Sequence, residues 1–286
     1  MRLEILGSGG AITTPKPFCN CAVCDLAREG SAKDSRFGPS VFIHGPNLLI
    51  DTPEEICIQL NRSSIAQIDG CVYSHWHPDH TAGKRVFEMN KDWIGLPPEN
   101  RKTKIFLTEK VESTFQQFLG LKSYLDFLAG DGLVDISIVK NSESFLLNGY
   151  RITPVQMKLD FSFGFTIEGE DKKILVVMDE LKSWQPNDVI GNTEFDLVYL
   201  PLGIVDVNPI NGKRNVAAEH PILQYELTLN ETIDMMKILK GKRFILSHIE
   251  ELDGVSRSMG RQLGMYCSEQ TGKIVELAYD TLMCEI

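Results

Sequence analysis

The order of apolar and polar segments in the sequence predicts a mixed α/β protein. Short apolar runs alternate with longer stretches whose apolar residues recur at helical spacing, which indicates interleaved strands and helices. Three of the apolar runs end at a polar residue, namely Asp51, Asp179 and His248. Because α/β sheets present functional groups where their strands end, these three positions are candidates for a functional site.

Composition limits the classes to which the protein can belong. The chain has 286 residues, a formal charge of −10 and 43% hydrophobic residues. Since the candidate residues spread from Asp51 to His248, we expect one domain over residues 1–286 rather than two smaller ones. The acidic balance argues against general nucleic-acid binding, and no apolar run is long enough to cross a membrane.

The predicted location follows from the N-terminus and the cysteines. The segment from Met1 to Leu6 resembles a strand and lacks the pattern of a signal peptide. Three of the seven cysteines are clustered, which favours a metal site in a reduced compartment over a disulfide framework. We therefore expect a cytoplasmic protein without a membrane partner.

The remaining elements are predicted from periodicity and turn residues. A strand over 2–6 leads into a glycine loop, either a tight turn or an anion cradle, and Gly45-Pro46 connects the two strands of a hairpin. Thr228 and Glu231 predict a capping box at the start of a late helix. Helices are expected over 25–29, 53–62, 81–90, 111–128 and 228–239, and strands over 40–44, 47–50, 70–74, 104–107, 134–139, 150–158, 161–168, 173–178 and 195–200, with one or two more in 273–286.

The segment Ser74-His75-Trp76-His77-Pro78-Asp79-His80 carries the strongest functional signal. In extended backbone the rings of His75 and His77 leave the same side, whereas Asp79 and His80 follow a proline that turns them toward a second point. Neutral imidazole and carboxylate suit zinc, iron or manganese. The alternative is a polar loop after a strand, but this spacing of three histidines is uncommon in such loops.

This segment resembles the His-x-His-x-Asp-His motif of the metallo-β-lactamase superfamily, and Asp51, Asp179 and His248 match its further motifs. The resemblance implies a four-layer αβ/βα sandwich and a hydrolytic centre with two divalent metal ions. It also implies that Asp51 orients a metal-binding histidine without touching metal. The implied ligands are His75 and His77 for the first ion, Asp79, His80 and His248 for the second, and Asp179 as the bridge.

Three thiols within six residues, Cys19, Cys21 and Cys24, predict a second kind of metal site. The pattern resembles the PhnP-like phosphodiesterase branch of the superfamily, in which such a loop helps hold a structural zinc. That branch supplies the fourth ligand three residues after the last active-site histidine, and Glu251 occupies that position here. The resemblance therefore implies one structural zinc held by three thiolates and Glu251.

The chain departs from the superfamily at two positions. No histidine lies between His80 and His220, although the superfamily places a ligand of the first ion in that interval. Asp160 is the nearest candidate replacement, and the alternative is that it is only a turn residue. Glu226 stands where related sequences carry a histidine, so His220 is considered as a proton donor that joins Asp79 in the catalytic set.

The expected function is hydrolysis of a cyclic or small phosphodiester by a metal-activated hydroxide. The same kind of centre also cleaves thioesters and lactones, and a degenerate centre would make the chain a non-catalytic binding protein. The expected partner is a small anionic substrate, with Lys213 and Arg214 as candidates for binding its charge. Formation of a homodimer is left open by the sequence.

Overall fold

Two seven-stranded sheets form the centre of the protein, as a computed structural model that describes residues 1–29, 34–97 and 99–286 shows. In spatial order the first sheet contains β14 (Met283–Glu285), β1 (Arg2–Gly7), β2 (Ser40–His44), β3 (Leu48–Ile50), β4 (Gly70–Val72), β5 (Thr103–Thr108) and β6 (Val134–Val139). The second contains β13 (Ile274–Leu277), β12 (Lys240–Ser247), β11 (Glu194–Pro201), β10 (Lys172–Val176), β9 (Phe163–Gly169), β8 (Tyr150–Gln156) and β7 (Phe145–Leu147).

Helices connect many of these strands. They are α1 (Ala22–Arg28), α2 (Ile56–Asn61), α3 (Pro78–Thr81), α4 (Glu109–Gln117), α5 (Leu121–Gly130), α6 (Pro186–Ile190), α7 (Ile222–Tyr225), α8 (Leu229–Ile238) and α9 (Arg257–Thr271). Within the described residues, no helix has the length and apolar character needed to cross a membrane.

The packing produces four layers because the strand side chains alternate between two apolar cores. In β10, Ile174 and Val176 belong to a core shared with the first sheet, whereas Leu175 packs with residues of α8 and α9. Helices α4 and α5 cover the other face of the first sheet through buried residues such as Phe115 and Leu125. The predicted αβ/βα sandwich is therefore confirmed.

Several predicted elements differ in extent. The helix expected over 111–128 is two helices, because the chain turns at Leu119 and Gly120, both of which have positive φ. The helix expected over 81–90 is a 3₁₀ segment, Lys84–Asn90, that follows α3. The hairpin of β2 and β3 and the capping box of Thr228 and Glu231 are confirmed.

Candidate metal centre

The strands deliver their polar end groups to the seam between the two sheets. β3 and β4 are parallel neighbours in the first sheet, and β10, β11 and β12 are parallel neighbours in the second. Asp51 and His248 follow their strands with φ values of 64° and 55°, so the chain turns sharply as it leaves each sheet. The carboxyl ends of both sheets thus supply one site.

The first group of ligand atoms contains two imidazoles and a glutamate. His75 Nε2 lies 2.9 Å from His77 Nδ1, and His77 Nδ1 lies 3.7 Å from Glu180 Oε1. Two ligands of a tetrahedral zinc, each about 2.0–2.1 Å from the ion, lie about 3.3 Å apart. The separations in this group bracket that value, so the three atoms fit around one ion.

The second group contains Asp79, His80 and His248. Asp79 Oδ2 lies 3.1 Å from His80 Nε2 and 3.8 Å from His248 Nε2. Asp179 lies between the groups, since its Oδ2 is 3.4 Å from His248 Nε2 and its carboxylate also falls within 4.8 Å of ligand atoms of His75 and His80. This is the arrangement that a bridging carboxylate requires.

Asp51 supports the centre from behind. Its Oδ2 accepts a hydrogen bond from His80 Nδ1 at 2.7 Å, and the carboxylate also accepts from the backbone N–H (2.7 Å) and hydroxyl (2.6 Å) of Ser74. Asp51 and His80 are both fully buried. Because Asp51 occupies the Nδ1 side of the ring, His80 is fixed with Nε2 toward the centre.

The unpaired atoms of the site fit divalent cations. Within the described residues, the buried Nε2 atoms of His80 and His248 make no hydrogen bond, which is unusual for buried polar atoms. Burial disfavours the charged form of His248, but Asp179 and Asp79 outweigh it and raise the pKa of this imidazole to about 9. An excess of negative charge therefore surrounds the nitrogens, as a cation site requires.

Asp160 and His220, two predicted site residues, lie away from this centre. The Asp160 side chain is 62% exposed and binds Lys110 Nζ at 2.6 Å, because the turn after β8 directs it outward. His220 is exposed, and its Nδ1 accepts a hydrogen bond from the backbone N–H of Ile222. The structure thus brings neither Asp160 nor His220 to the site.

Two glutamates that the sequence analysis did not assign to the site lie in it. Glu180 and Glu226 line a cavity of about 330 Å³ together with Asp179 and His248. Burial, followed by the charge of Asp179, raises the pKa of both glutamates to about 7. Their sequence signals were the position of Glu180 directly after the predicted bridging aspartate and that of Glu226 where a histidine was expected.

The three cysteines form a separate cluster in which ligand atoms lie within 4.8 Å of one another. Burial raises the pKa of Cys24 to about 12, whereas a hydrogen bond from the backbone of Cys21 lowers the pKa of Cys19. Glu251 lines the same cavity as Cys19 and Cys21, and its Oε1 binds Lys16 Nζ at 2.8 Å. The other oxygen of Glu251 is buried without a hydrogen-bond partner in the described structure, as a potential fourth ligand would be.

Lys213 and Arg214 do not face the histidine cluster. They line the cavity beside the cysteines, and Arg214 pairs with Asp206 at 3.6 Å. Their predicted contact with a substrate anion is therefore not supported by their position. In the glycine loop, Gly9 forms a parallel β-bridge with Ile249, the residue after His248.

A family model described as the beta-lactamase superfamily domain matches residues 46–249. The chain belongs to this family. The beta-lactamase superfamily comprises metal-dependent hydrolases, and the match spans the segment from the β2–β3 turn to the residue after His248. The predicted resemblance is therefore confirmed, while no curated protein matches the chain significantly.

Solved structures show how widely this beta-lactamase fold is shared. A diphosphatase from the PhnP family is 23% identical with a TM-score of 0.71, over 100% of this chain and 97% of that chain. Zinc-bound PqqB from Methylobacterium extorquens is 18% identical with a TM-score of 0.72, over 100% of both chains. The short form of human tRNase Z is 18% identical with a TM-score of 0.58, over 100% of this chain and 99% of that chain.

Proposed function

We propose that the protein is a metal-dependent phosphodiesterase that acts on a small or cyclic phosphodiester. The observation that carries the proposal is the position of Asp179 between two groups of ligand atoms. Two divalent ions, when bound, polarise the substrate and lower the pKa of a water molecule. His75 and His77 would hold one ion, His80 and His248 the other, and Asp79 would join the second group.

The protein's own residues would fix this arrangement. Asp51 holds His80 in one orientation through its hydrogen bond to Nδ1, so that the ring does not have to be reoriented when an ion binds. Such preorganisation lowers the reorganisation needed during reaction. The cysteine cluster would hold a structural zinc, and Glu251, which lines the same cavity, is the candidate for its fourth ligand.

Glu226 replaces His220 as the proposed proton donor. It lines the cavity beside Asp179 and His248, and in the metal-free protein burial and the charge of Asp179 raise its pKa. Its position in the cavity carries the assignment, because bound ions would themselves change that pKa. In this role Glu226 would give its proton to the leaving oxygen of the diester.

The charges around the cavity favour a substrate with few negative charges. Among the described residues that line it, there are six acidic groups and neither lysine nor arginine. A diester presents one negative charge to the ions, whereas a monoester adds a second charge close to Glu180 and Glu250. The PhnP-family diphosphatase is a precedent for cleavage of phosphorus–oxygen bonds on this fold.

The same cavity supports a second candidate function, hydrolysis of a neutral thioester or lactone. Ile12, Ile204 and Ile222 form an apolar part of the lining, and the described lining contains no lysine or arginine that would bind a substrate anion. The acidic lining would not repel a neutral acyl group, and such a group needs no basic residue to bind it. The two candidates differ in the charge of the substrate they accept.

A substrate panel with the metal-loaded protein separates these functions. We expect cleavage of bis(p-nitrophenyl) phosphate and of a cyclic phosphodiester, weak cleavage of p-nitrophenyl phosphate, and none after Asp179→Ala. Asp160→Ala is the matched control, because that carboxylate is exposed and is not part of the cavity lining. Cleavage of thioesters or lactones alone would favour the second candidate. If the protein cleaves none of the substrates, it is a binding protein.

A further inference from the structure

We propose that Glu180 is the third protein ligand of the first metal ion, in the place where a third imidazole was expected. The proposal rests on the proposed function only in assuming that the centre binds divalent ions. Glu180 directly follows Asp179 in the sequence but belongs to no motif or repeating pattern, so the sequence did not indicate it as a ligand.

The first argument is the geometry of the first group. One imidazole nitrogen each of His75 and His77 and a carboxylate oxygen of Glu180 lie within 4.8 Å of one another. The Glu180 side chain is only 12% exposed, and its Oε1 lies 3.7 Å from His77 Nδ1. That separation is too long for a hydrogen bond but close to the spacing of two ligands on one ion.

The second argument is that the chain holds Glu180 in place from both sides. Val177 before it donates a backbone hydrogen bond to Tyr199 of β11, and Leu181 after it is buried. The indole of Trp184, also buried, donates to the backbone carbonyl of Gln156. Glu180 itself has a φ of 62°, a left-handed conformation that its neighbours impose and that keeps its carboxylate at the cavity.

The third argument is that the other histidines are not available. The chain has six, and four of them already belong to the two groups. His44 lies in β2 with Nε2 bound to Glu4 Oε2 at 2.8 Å, and His220 is exposed at the start of α7. No imidazole therefore remains to complete the first group.

The fourth argument concerns the side of the site where Asp160 was expected. Phe161, the next residue, directs its ring toward the histidines, with its centroid 6.1 Å from that of His77 and 6.4 Å from that of His75. An apolar ring thus occupies the approach that a ligand from this turn would use. Glu180 reaches the first group from the loop after β10, a different strand end of the same sheet.

The substitution changes the charge of the centre. Asp79, Asp179 and Glu180 together carry three negative charges, one more than a centre with a third imidazole would have. Oxygen ligands favour harder ions, so manganese or iron should compete with zinc at the first position better than in an all-imidazole group. The expected signature is a first site whose preference for zinc over manganese is smaller in wild type than in Glu180→His.

Metal content of the full-length protein tests the proposal without an activity assay. Five proteins are dialysed at a fixed concentration of free zinc or manganese, and their bound ions are counted by mass spectrometry. They are the wild type, Glu180→Gln, Glu180→Ala, Glu180→His and the control Asp160→Asn. Cys21→Ser is measured in parallel to subtract the cysteine site. Electron paramagnetic resonance of manganese-loaded samples then reports whether two ions are close together.

We expect wild type and Asp160→Asn to bind two ions at the histidine centre, and Glu180→Ala to bind one. Loss of a direct ligand should weaken the first site by more than about 100-fold, beyond the 10–100-fold typical of residues that only orient a ligand. Glu180→His should restore binding of zinc more fully than binding of manganese. Folding of each variant is checked by its far-ultraviolet spectrum and thermal transition.

Retention of two ions with unchanged affinity in Glu180→Ala would overturn the assignment and leave the hydrolase proposal standing. Loss of the first ion in that variant, combined with no hydrolysis of any substrate by wild type, would uphold Glu180 and overturn the hydrolase. A wild-type protein that binds no ion at the histidine centre would overturn both.

Discussion

Replacing Asp51 with alanine tests whether this carboxylate controls metal binding from behind the centre. The change removes three hydrogen bonds, leaving the N–H and hydroxyl of Ser74 and the Nδ1 of His80 without their acceptor in a fully buried position. Removing one partner of a buried charged pair costs about 3–5 kcal/mol. For a chain of this size that corresponds to a fall in Tm of roughly 10 °C.

The same variant should also bind metal less tightly. Without Asp51, only the Ser74 hydroxyl at 3.3 Å remains beside Nδ1, so the His80 ring is held less firmly, and the second ion should bind about 10–100-fold more weakly. Asp69→Ala is the matched control, because Asp69 also accepts three hydrogen bonds, from Asn47, Gln67 and Asn148, but lies outside the centre. Calorimetric titration of both metal-free variants measures the affinity, and equal metal affinities in the two variants would refute the reasoning.

Three further outcomes are expected. Cys21→Ser should lower the zinc content by about one ion per chain and reduce the Tm, as measured by metal analysis and calorimetry, and an unchanged zinc content would exclude the site. Gly10→Ala should weaken the second site, because a Cβ there would lie 2.8 Å from His248 Nδ1, whereas the control Gly130→Ala meets nothing within 4 Å; equal titrations would contradict this. Since the pKa of His248 is about 9 in the metal-free protein, metal binding must displace a proton from this imidazole. The metal affinity should therefore fall by up to about tenfold for each pH unit below 9. Calorimetric titration in two buffers of different ionisation enthalpy should show the released proton.

The strand ends and the central motif could be predicted because both are local in the sequence. Asp51, Asp179 and His248 each follow a short apolar run, and these runs became β3, β10 and β12. The carboxyl ends of parallel strands lie at the same edge of a sheet, so residues that follow them lie close together regardless of the conformation of the connecting loops. Their placement therefore needed little more than the apolar pattern.

The proposed third ligand of the first ion could not be predicted because its position depends on the direction of a side chain in a turn. Asp160 lies at the expected position along the chain, but the turn gives the inward direction to Phe161 and pairs Asp160 with Lys110. Glu180 faces the site because of a positive φ that sequence periodicity does not reveal. α9 was missed for a related reason, since its contact with β13 uses Gly260 and Gly264 rather than a long apolar stripe.

The seam between the sheets has a consequence for the stability of the whole molecule. His75 and His80 come from the first half of the chain, whereas Asp179 and His248 come from the second. An ion that contacts both sets binds only when the two halves are docked, so it acts as a reversible cross-link between them. At a free ion concentration of about 100 times Kd, one such ion adds about 2.7 kcal/mol to the free energy of unfolding. The resistance of the protein to unfolding would then follow the metal supply of its surroundings.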